Sequence, residues 1–277
     1  MSGLVSSLRK FFLHMPETFQ KSTNLRSLSA LAQSSCQFQY DLMKQDNCIV
    51  VDNYDNALSV ATKEECHFKE GLLHRAFSLF IFRQVPNSED LELLMQRRSP
   101  SKLTFPLLWT NTCCSHPCTN YVGETEERNA VGVRRAAQRK VEHELGIDSS
   151  RQLLLENIHF LTRIKYSAHN EPVENDWCER EVDYLLVSIV PAYVKTDSST
   201  FLKINSNEVA ESEWTKEHSI NTAFSNDPYI YTPWFRKVVR MGLLHRMFNW
   251  AAAKVTNNVA FPSLDKIFDR SSILEFD

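Results

Sequence analysis

Ala130-Val-Gly-Val-Arg-Arg-Ala-Ala-Gln-Arg-Lys-Val-Glu-His-Glu-Leu-Gly-Ile147 is the stretch whose reading organises the rest of the chain. Ala130, Val133, Ala137, Val141 and Leu145 recur at spacings of three and four, laying one apolar stripe along a helix over residues 129–146. Gly146 supplies the stop, since glycine turns left-handed without a steric penalty. Apolar runs lie on both sides of this helix. Cys48–Val51 enters an Asp-Asn-Tyr-Asp-Asn turn. Leu72–Arg83 is rich in Phe, Leu and Ile, and Leu91–Gln96 follows the turn Pro86-Asn87-Ser88 to complete a hairpin. Asn157–Ser167 and Val182–Val190 read as further strands, and Thr232-Pro233 as the cap and first residue of a C-terminal helix. Strands and helices are mixed, so the class is α/β or α+β.

The bulk composition narrows the function. The chain has 277 residues, 43% hydrophobic and 23% charged, enough for a sizeable core without disulfides. A formal net charge of -3 argues against a nucleic-acid coat protein. Seven cysteines, two of them adjacent at Cys113 and Cys114, form no framework and suit a reducing compartment. No apolar run is long enough for a membrane span; Leu185–Val194 is broken by Ser188 and Pro191. Residues 1–45 are Ser-rich, carry Arg9, Lys10, Lys21 and Arg26, and contain few acids. They read as an N-terminal extension, either a transit peptide or a disordered segment, ahead of one domain over 46–277.

Four groups of residues carry chemistry. His67, His74 and His116 with Glu179 and Glu181 offer imidazoles and carboxylates for a divalent metal such as Zn or Mn; Glu179 and Glu181 share one side at the entrance to a strand. Taken alone, the same residues can be packed or surface groups. Cys114, two residues before His116, is a base or nucleophile, or a buried inert thiol. Arg97, Arg98 and Lys102, together with Lys63, can grip an anion or line a solvated loop. Tyr166 and Trp234 can face a pocket or fill the core.

Taken together the segments resemble the type I isopentenyl-diphosphate isomerases of the Nudix superfamily, eukaryotic branch. The resemblance rests on Gly71-Leu-Leu-His-Arg-Ala-Phe-Ser78, Thr110-Asn-Thr-Cys-Cys-Ser-His-Pro117, Gly132 to Lys140, Glu144-Leu-Gly-Ile147, Leu161 to Tyr166, Glu179-Arg-Glu181 with Asp183-Tyr184, and Thr232-Pro-Trp-Phe235, in the family's order over about residues 46–250. It implies an α/β/α sandwich with mixed sheets. It assigns His67, His74, His116, Glu179 and Glu181 to a Zn or Mn ion, and Cys114 and Glu181 to catalysis with Tyr166 and Trp234. Lys63, Arg98, Lys102 and Ser115 would hold the diphosphate, and Glu144 a Mg ion. The implied reaction interconverts isopentenyl and dimethylallyl diphosphate in isoprenoid and sterol synthesis. The implied partner is this small diphosphate, the expected state a monomer, and the compartment the cytoplasm, with mitochondrion or peroxisome as alternatives.

Two departures bear on activity. Lys140 and His143 stand where a Nudix hydrolase has acids, leaving Glu144 alone of that set; a pyrophosphatase needs several carboxylates for its Mg ions, so hydrolysis is disfavoured. Phe105-Pro106-Leu107 has Leu where the family has Gly, and a positive φ there would strain Leu107. A Nudix-type diphosphate hydrolase and a degenerate non-catalytic paralogue are the alternative readings.

Overall fold

The structure is a computed structural model that describes residue 37 and residues 39–275, apart from 86, 171–175, 191–193, 195, 197–200 and 257–261. Most of the expected extension, and Pro86 of the expected turn, lie outside the described residues. From residue 39 the chain is helical as far as 45, and Gln39 Nε2 donates to the Asn207 carbonyl.

The centre of the fold is β3 (His74–Gln84). It runs parallel to β8 (Cys178–Ile189), in register from His74 opposite Glu181 to Phe82 opposite Ile189. Along its other edge it pairs antiparallel with β1 (Asn47–Val51), then β6 (Cys113–Ser115), then β4 (Leu91–Arg98), so the expected β3–β4 hairpin forms. Beyond β1 lies β2 (Ala57–Thr62), and beyond β8 lies β7 (His159–His169), antiparallel to it. β4 also pairs with β5 (Trp109–Thr110) and β9 (Val209–Thr215), and β10 (Ile273–Glu275) runs parallel to β7. The sheet is mixed, as the α/β reading requires.

Alternation along β3 sends successive side chains to two cores. Phe77, Leu79 and Ile81 meet Val133, Ala136, Ala137, Val141 and Leu145 of the helix α2 (Val131–Leu145). Phe80 and Phe82 meet Phe235 and Val238 of α4 (Pro233–Arg240), and Met247, Phe248 and Ala251 of α5 (Leu243–Val255). Between β2 and β3 lies the one-turn helix α1 (Lys63–His67), and between β9 and α4 lies α3 (Glu217–Asn226). A short α6 (Leu264–Ile267) precedes β10. Helices thus cover both faces of the sheet.

Local chemistry explains the helix ends. Gly146 caps α2 at φ 66. Gly132 is needed for closeness: a Cβ there would lie 2.2 Å from the Glu124 carbonyl. Thr232 is the N-cap residue of α4 and Pro233 its first residue, as expected, but the Thr232 hydroxyl makes no bond to the helix and donates instead to Thr110 Oγ1. β8 begins at Cys178, earlier than its apolar run, and Glu179 and Glu181 stand near its start, at the entrance of the strand as expected. A strand flanked on both sides by partners can carry polar side chains where those face a site.

A buried charge cluster ties the β1–β2 turn to three strands. Asp55 is 5% exposed and accepts from Arg75 Nε at 2.7 Å and Arg163 Nη1 at 2.9 Å, with a further bond from the Tyr184 hydroxyl. Removing one partner of a buried pair leaves the others uncompensated. Asp55→Ala is therefore expected to lower unfolding free energy by about 3 kcal/mol in urea denaturation; a loss under about 1 kcal/mol would show that the cluster is solvated. Leu107 has φ 64, the strained geometry anticipated from the missing glycine, and its neighbour Phe105 has φ 45. The left-handed region costs a side-chain-bearing residue roughly 1–2 kcal/mol. Leu107→Gly should hold or raise the denaturation midpoint, despite the loss of a half-buried side chain.

Candidate active site

Strand register gathers the first group of residues. β8 places Glu179, Glu181 and Asp183 on one face, two residues apart. His74 on β3 lies opposite Glu181, and Tyr166 on β7 lies opposite it from the other side. On β6, Cys114 lies opposite Ser78 of β3. Residues directly opposite one another point to the same face, so Tyr166, Glu181, His74, Ser78 and Cys114 share one face of the sheet. α1 adds Lys63 and His67, four apart and hence on one side of the helix. A capping box, with Glu65 N bonded to the Thr62 hydroxyl and Thr62 N to Glu65 Oε2, starts that turn.

The metal-type residues converge. Atoms of His67, His74, His116 and Glu181 that could hold a cation lie within 4.8 Å of one another. Nε2 of His67 is 2.9 Å from Glu179 Oε2, and Nε2 of His116 is 2.8 Å from Glu181 Oε1. Nε2 of His74 is 3.7 Å from the same Glu181 oxygen. The backbone fixes two of the rings: Nδ1 of His67 meets the Lys63 carbonyl and Nδ1 of His74 the Leu72 carbonyl, each at 2.7 Å. A carbonyl accepts only, so each of these Nδ1 atoms carries a proton; His74, kept neutral by burial, then presents its Nε2 lone pair inward. His74 Nε2 is buried without a hydrogen-bond partner. A buried lone pair with nothing to satisfy it, beside two further imidazoles and Glu181, fits a bound divalent cation.

Burial governs protonation here. It pushes the His74 imidazole down to about 3, with the neighbouring His67 adding to the effect, and likewise lowers His116. It raises Glu181 well above the usual carboxylate range, reinforced by Glu179 and Asp183. Burial acts the same way on Glu179, but the adjacent His67 outweighs it and holds that carboxyl low. Tyr166 donates a short hydrogen bond to Glu181 Oε2.

Cys114 sits in a polar cage. Its thiol donates to Asn111 Oδ1 at 3.0 Å, an oxygen free to accept because Asn111 Nδ2 donates to the carbonyls of Leu79 and Cys113. Trp234 Nε1 approaches the sulfur at 3.1 Å, and the hydroxyls of Ser78 and Thr110 lie at 3.7 Å. Burial, then the charge of Asp183, pushes the thiol up to about 12. Trp234 is itself held by Phe105, edge-on at 5.7 Å, and by the Arg98 guanidinium 5.3 Å from its ring centre.

Basic residues occupy the same cavity. Lys63, Arg98, Lys102 and Ser115 all line it, with Cys114, His116, Tyr166, Glu179, Glu181 and Trp234. Arg98 is partly committed, its Nε and Nη2 bonding the Thr104 and Phe105 carbonyls. Arg97 faces away, paired with Glu211. Glu144 lies apart from the histidine cluster on the buried face of α2, 3.2 Å from both Lys140 Nζ and Gln96 Nε2. Sequence reasoning singled out neither Asn111, Ser78 nor Asp183 as part of the site, although Asn111 stands three residues before Cys114 in a stretch already quoted. It also missed Glu208, which has no motif around it.

The NUDIX domain family model matches residues 72–235, which places the chain among NUDIX-domain proteins. The isopentenyl-diphosphate delta-isomerase of Gibberella zeae is 42% identical over 209 residues, covering 73% of this chain and 74% of that protein. The enzyme of the same name from Schizosaccharomyces pombe is 42% identical over 214 residues, covering 75% and 84%. Isopentenyl-diphosphate Delta-isomerase 1 of Mesocricetus auratus is 41% identical over 196 residues, covering 69% and 80%. The chain belongs to the isopentenyl-diphosphate delta-isomerase family. Among the described residues, no helix is long and apolar enough to cross a membrane.

The cluster makes a direct prediction. His74→Ala should weaken binding of Zn or Mn, measured by titration calorimetry, by at least about tenfold. An unchanged affinity would mean that the ion binds elsewhere.

Proposed function

We propose that the chain interconverts isopentenyl diphosphate and dimethylallyl diphosphate. The observation that carries this reading is one cavity in which Cys114 and the Tyr166–Glu181 pair are joined by Trp234, with lysine and arginine beside them. Trp234 meets both sides: its N–H reaches Cys114, and its ring centre lies 6.3 Å from that of Tyr166.

The reaction moves one double bond. A proton adds to C4 of isopentenyl diphosphate, the C3–C4 π pair forms the new C–H bond, and C3 becomes a tertiary cation. Loss of a proton from C2 returns that electron pair as the C2–C3 double bond. Glu181, through its bond with Tyr166, is assigned to the protonation side, and Cys114 to the deprotonation side, with the roles exchanged in reverse. A basic thiol must first shed its proton; the Trp234 N–H is placed to stabilise the thiolate. The Trp234 π face stabilises the C3 cation by about 2 kcal/mol in a dry site. Burial of Tyr166, Glu181 and Trp234 keeps water from trapping that cation as an alcohol.

His67, His74, His116, Glu179 and Glu181 would hold a Zn or Mn ion, which when bound orients and polarises the Glu181 carboxyl. Lys63, Arg98, Lys102 and Ser115 bind the diphosphate, and Glu144 would hold Mg against it. The Glu144 and Glu208 carboxylates are offset by Lys102 and Lys140, so the diphosphate itself supplies the charge that attracts Mg. This balance also separates the site from a hydrolase, which needs an uncompensated set of acids. The cytoplasm and a monomeric state remain part of the same reading, as does the domain boundary near residue 46.

Proton NMR of the chain with isopentenyl diphosphate, Mg and Zn or Mn in deuterated water tests the reading. Dimethylallyl diphosphate should appear, with deuterium at the exchanging carbons. Release of phosphate or pyrophosphate would favour the hydrolase, and bound but unconverted substrate the non-catalytic paralogue. Cys114→Ala should lose activity by roughly 10²-fold or more while keeping its circular dichroism; near-normal turnover would remove Cys114 from the mechanism. Chelation should abolish turnover, and Mg with Zn or Mn should restore it.

A further inference from the structure

We propose that Glu208 is a positioning residue for the diphosphate: it holds the Lys102 ammonium from behind, at the wall of the cavity, where a phosphate oxygen can reach it. This deepens the reading above and rests on the cavity's being a diphosphate site. Glu208 stands immediately before β9 and is 2% exposed. Its backbone is fixed at both ends, with its N–H donating to the Asn205 carbonyl and its carbonyl accepting from Ser99 N. Oε2 makes a short ion pair with Lys102, while Oε1 lies 4.0 Å from Lys140 Nζ and 3.8 Å from His143 Nδ1.

The geometry decides what such a carboxylate does. Lys102 lines the cavity, and Glu208 lies behind it with a side chain only 1% exposed. The ammonium therefore sits between the carboxylate and the cavity. An ammonium has three donors, so the bond to Glu208 leaves others for a ligand. Burial works against the charge on Lys102, as do Arg98 and Lys140, and Glu208 is the foremost group opposing that loss. Without it the lysine has neither anchor nor main counter-charge. Glu208 also carries a negative charge that repels an incoming diphosphate directly. The two effects have opposite sign, and only the first acts through Lys102.

That difference defines the test. Dissociation constants for inorganic pyrophosphate are measured by calorimetry on the metal-loaded protein and on Glu208→Gln, Lys102→Met and the double variant. With Lys102 present, Glu208→Gln should weaken binding by about tenfold, the effect of losing a charged hydrogen bond. In the Lys102→Met background the same change should leave binding unchanged or strengthen it. The KM for isopentenyl diphosphate should rise in step, with kcat nearly constant. Equal weakening in both backgrounds, or tighter binding when Lys102 is present, overturns the assignment. Should Glu208→Gln fail to fold, Glu208→Asp keeps the charge but withdraws it from Lys102, and the same pattern is expected. Absence of both pyrophosphate binding and turnover in the unaltered protein would overturn the diphosphate reading itself, whereas binding with an additive cycle overturns Glu208 alone.

Discussion

Three carboxylates, Glu179, Glu181 and Asp183, stand on one face of one buried strand, and the rest of the site answers to that crowding. Buried like charges cannot all ionise unless cations or donors approach them. His67 holds Glu179, Tyr166 and His116 bond Glu181, and Ser78 donates to Asp183. Each of these partners comes from a different element. The carboxylates therefore bring α1, β3, β7 and the residue that follows β6 to a common point, and the imidazoles gathered there make that point attractive to a cation.

The basic end of the cavity is organised on the opposite principle. Lys102 and Lys140 are balanced by Glu144 and Glu208 before any ligand arrives. Paired burial of this kind contributes little net stability, because desolvation consumes most of the attraction. What it supplies is placement. The Arg98 side chain has a similar double use, tying down the Thr104–Phe105 carbonyls and covering Trp234. The loop it braces carries Phe105 and Leu107 at positive φ, conformations held in place by these contacts and by the Asn170 side chain bonded to Phe105 N.

Much of this was legible along the chain. The α2 stripe, the buried β3 run and the Gly146 stop are periodicities and punctuation, which local sterics impose wherever the chain goes. Leu107 was suspect from its place after Pro106, and its φ of 64 bears that out. Where reading by pattern failed, polarity was the reason: β8 starts at Cys178, several residues before its apolar run, because acids that face a site interrupt the hydrophobic signal. Thr232 stands at the cap position as its place before Pro233 implies, but its hydroxyl serves Thr110, a partner far away in sequence.

By itself the sequence determined the longer elements and the residue types able to do chemistry, since 3.6- and 2-residue periods and side-chain functional groups are local properties. Resemblance then supplied the roles expected of Cys114, Glu181 and the histidines. Only the tertiary structure decided which of these groups meet. The parallel register of β3 with β8 sets His74 opposite Glu181, and the antiparallel register of β6 with β3 sets Cys114 opposite Ser78. A slip of one residue would turn every one of these side chains to the other face. Asn111 and Glu208 emerged only here, because a hydrogen-bond acceptor aimed at a thiol and a carboxylate set behind a lysine are facts of position that no spacing along the chain encodes.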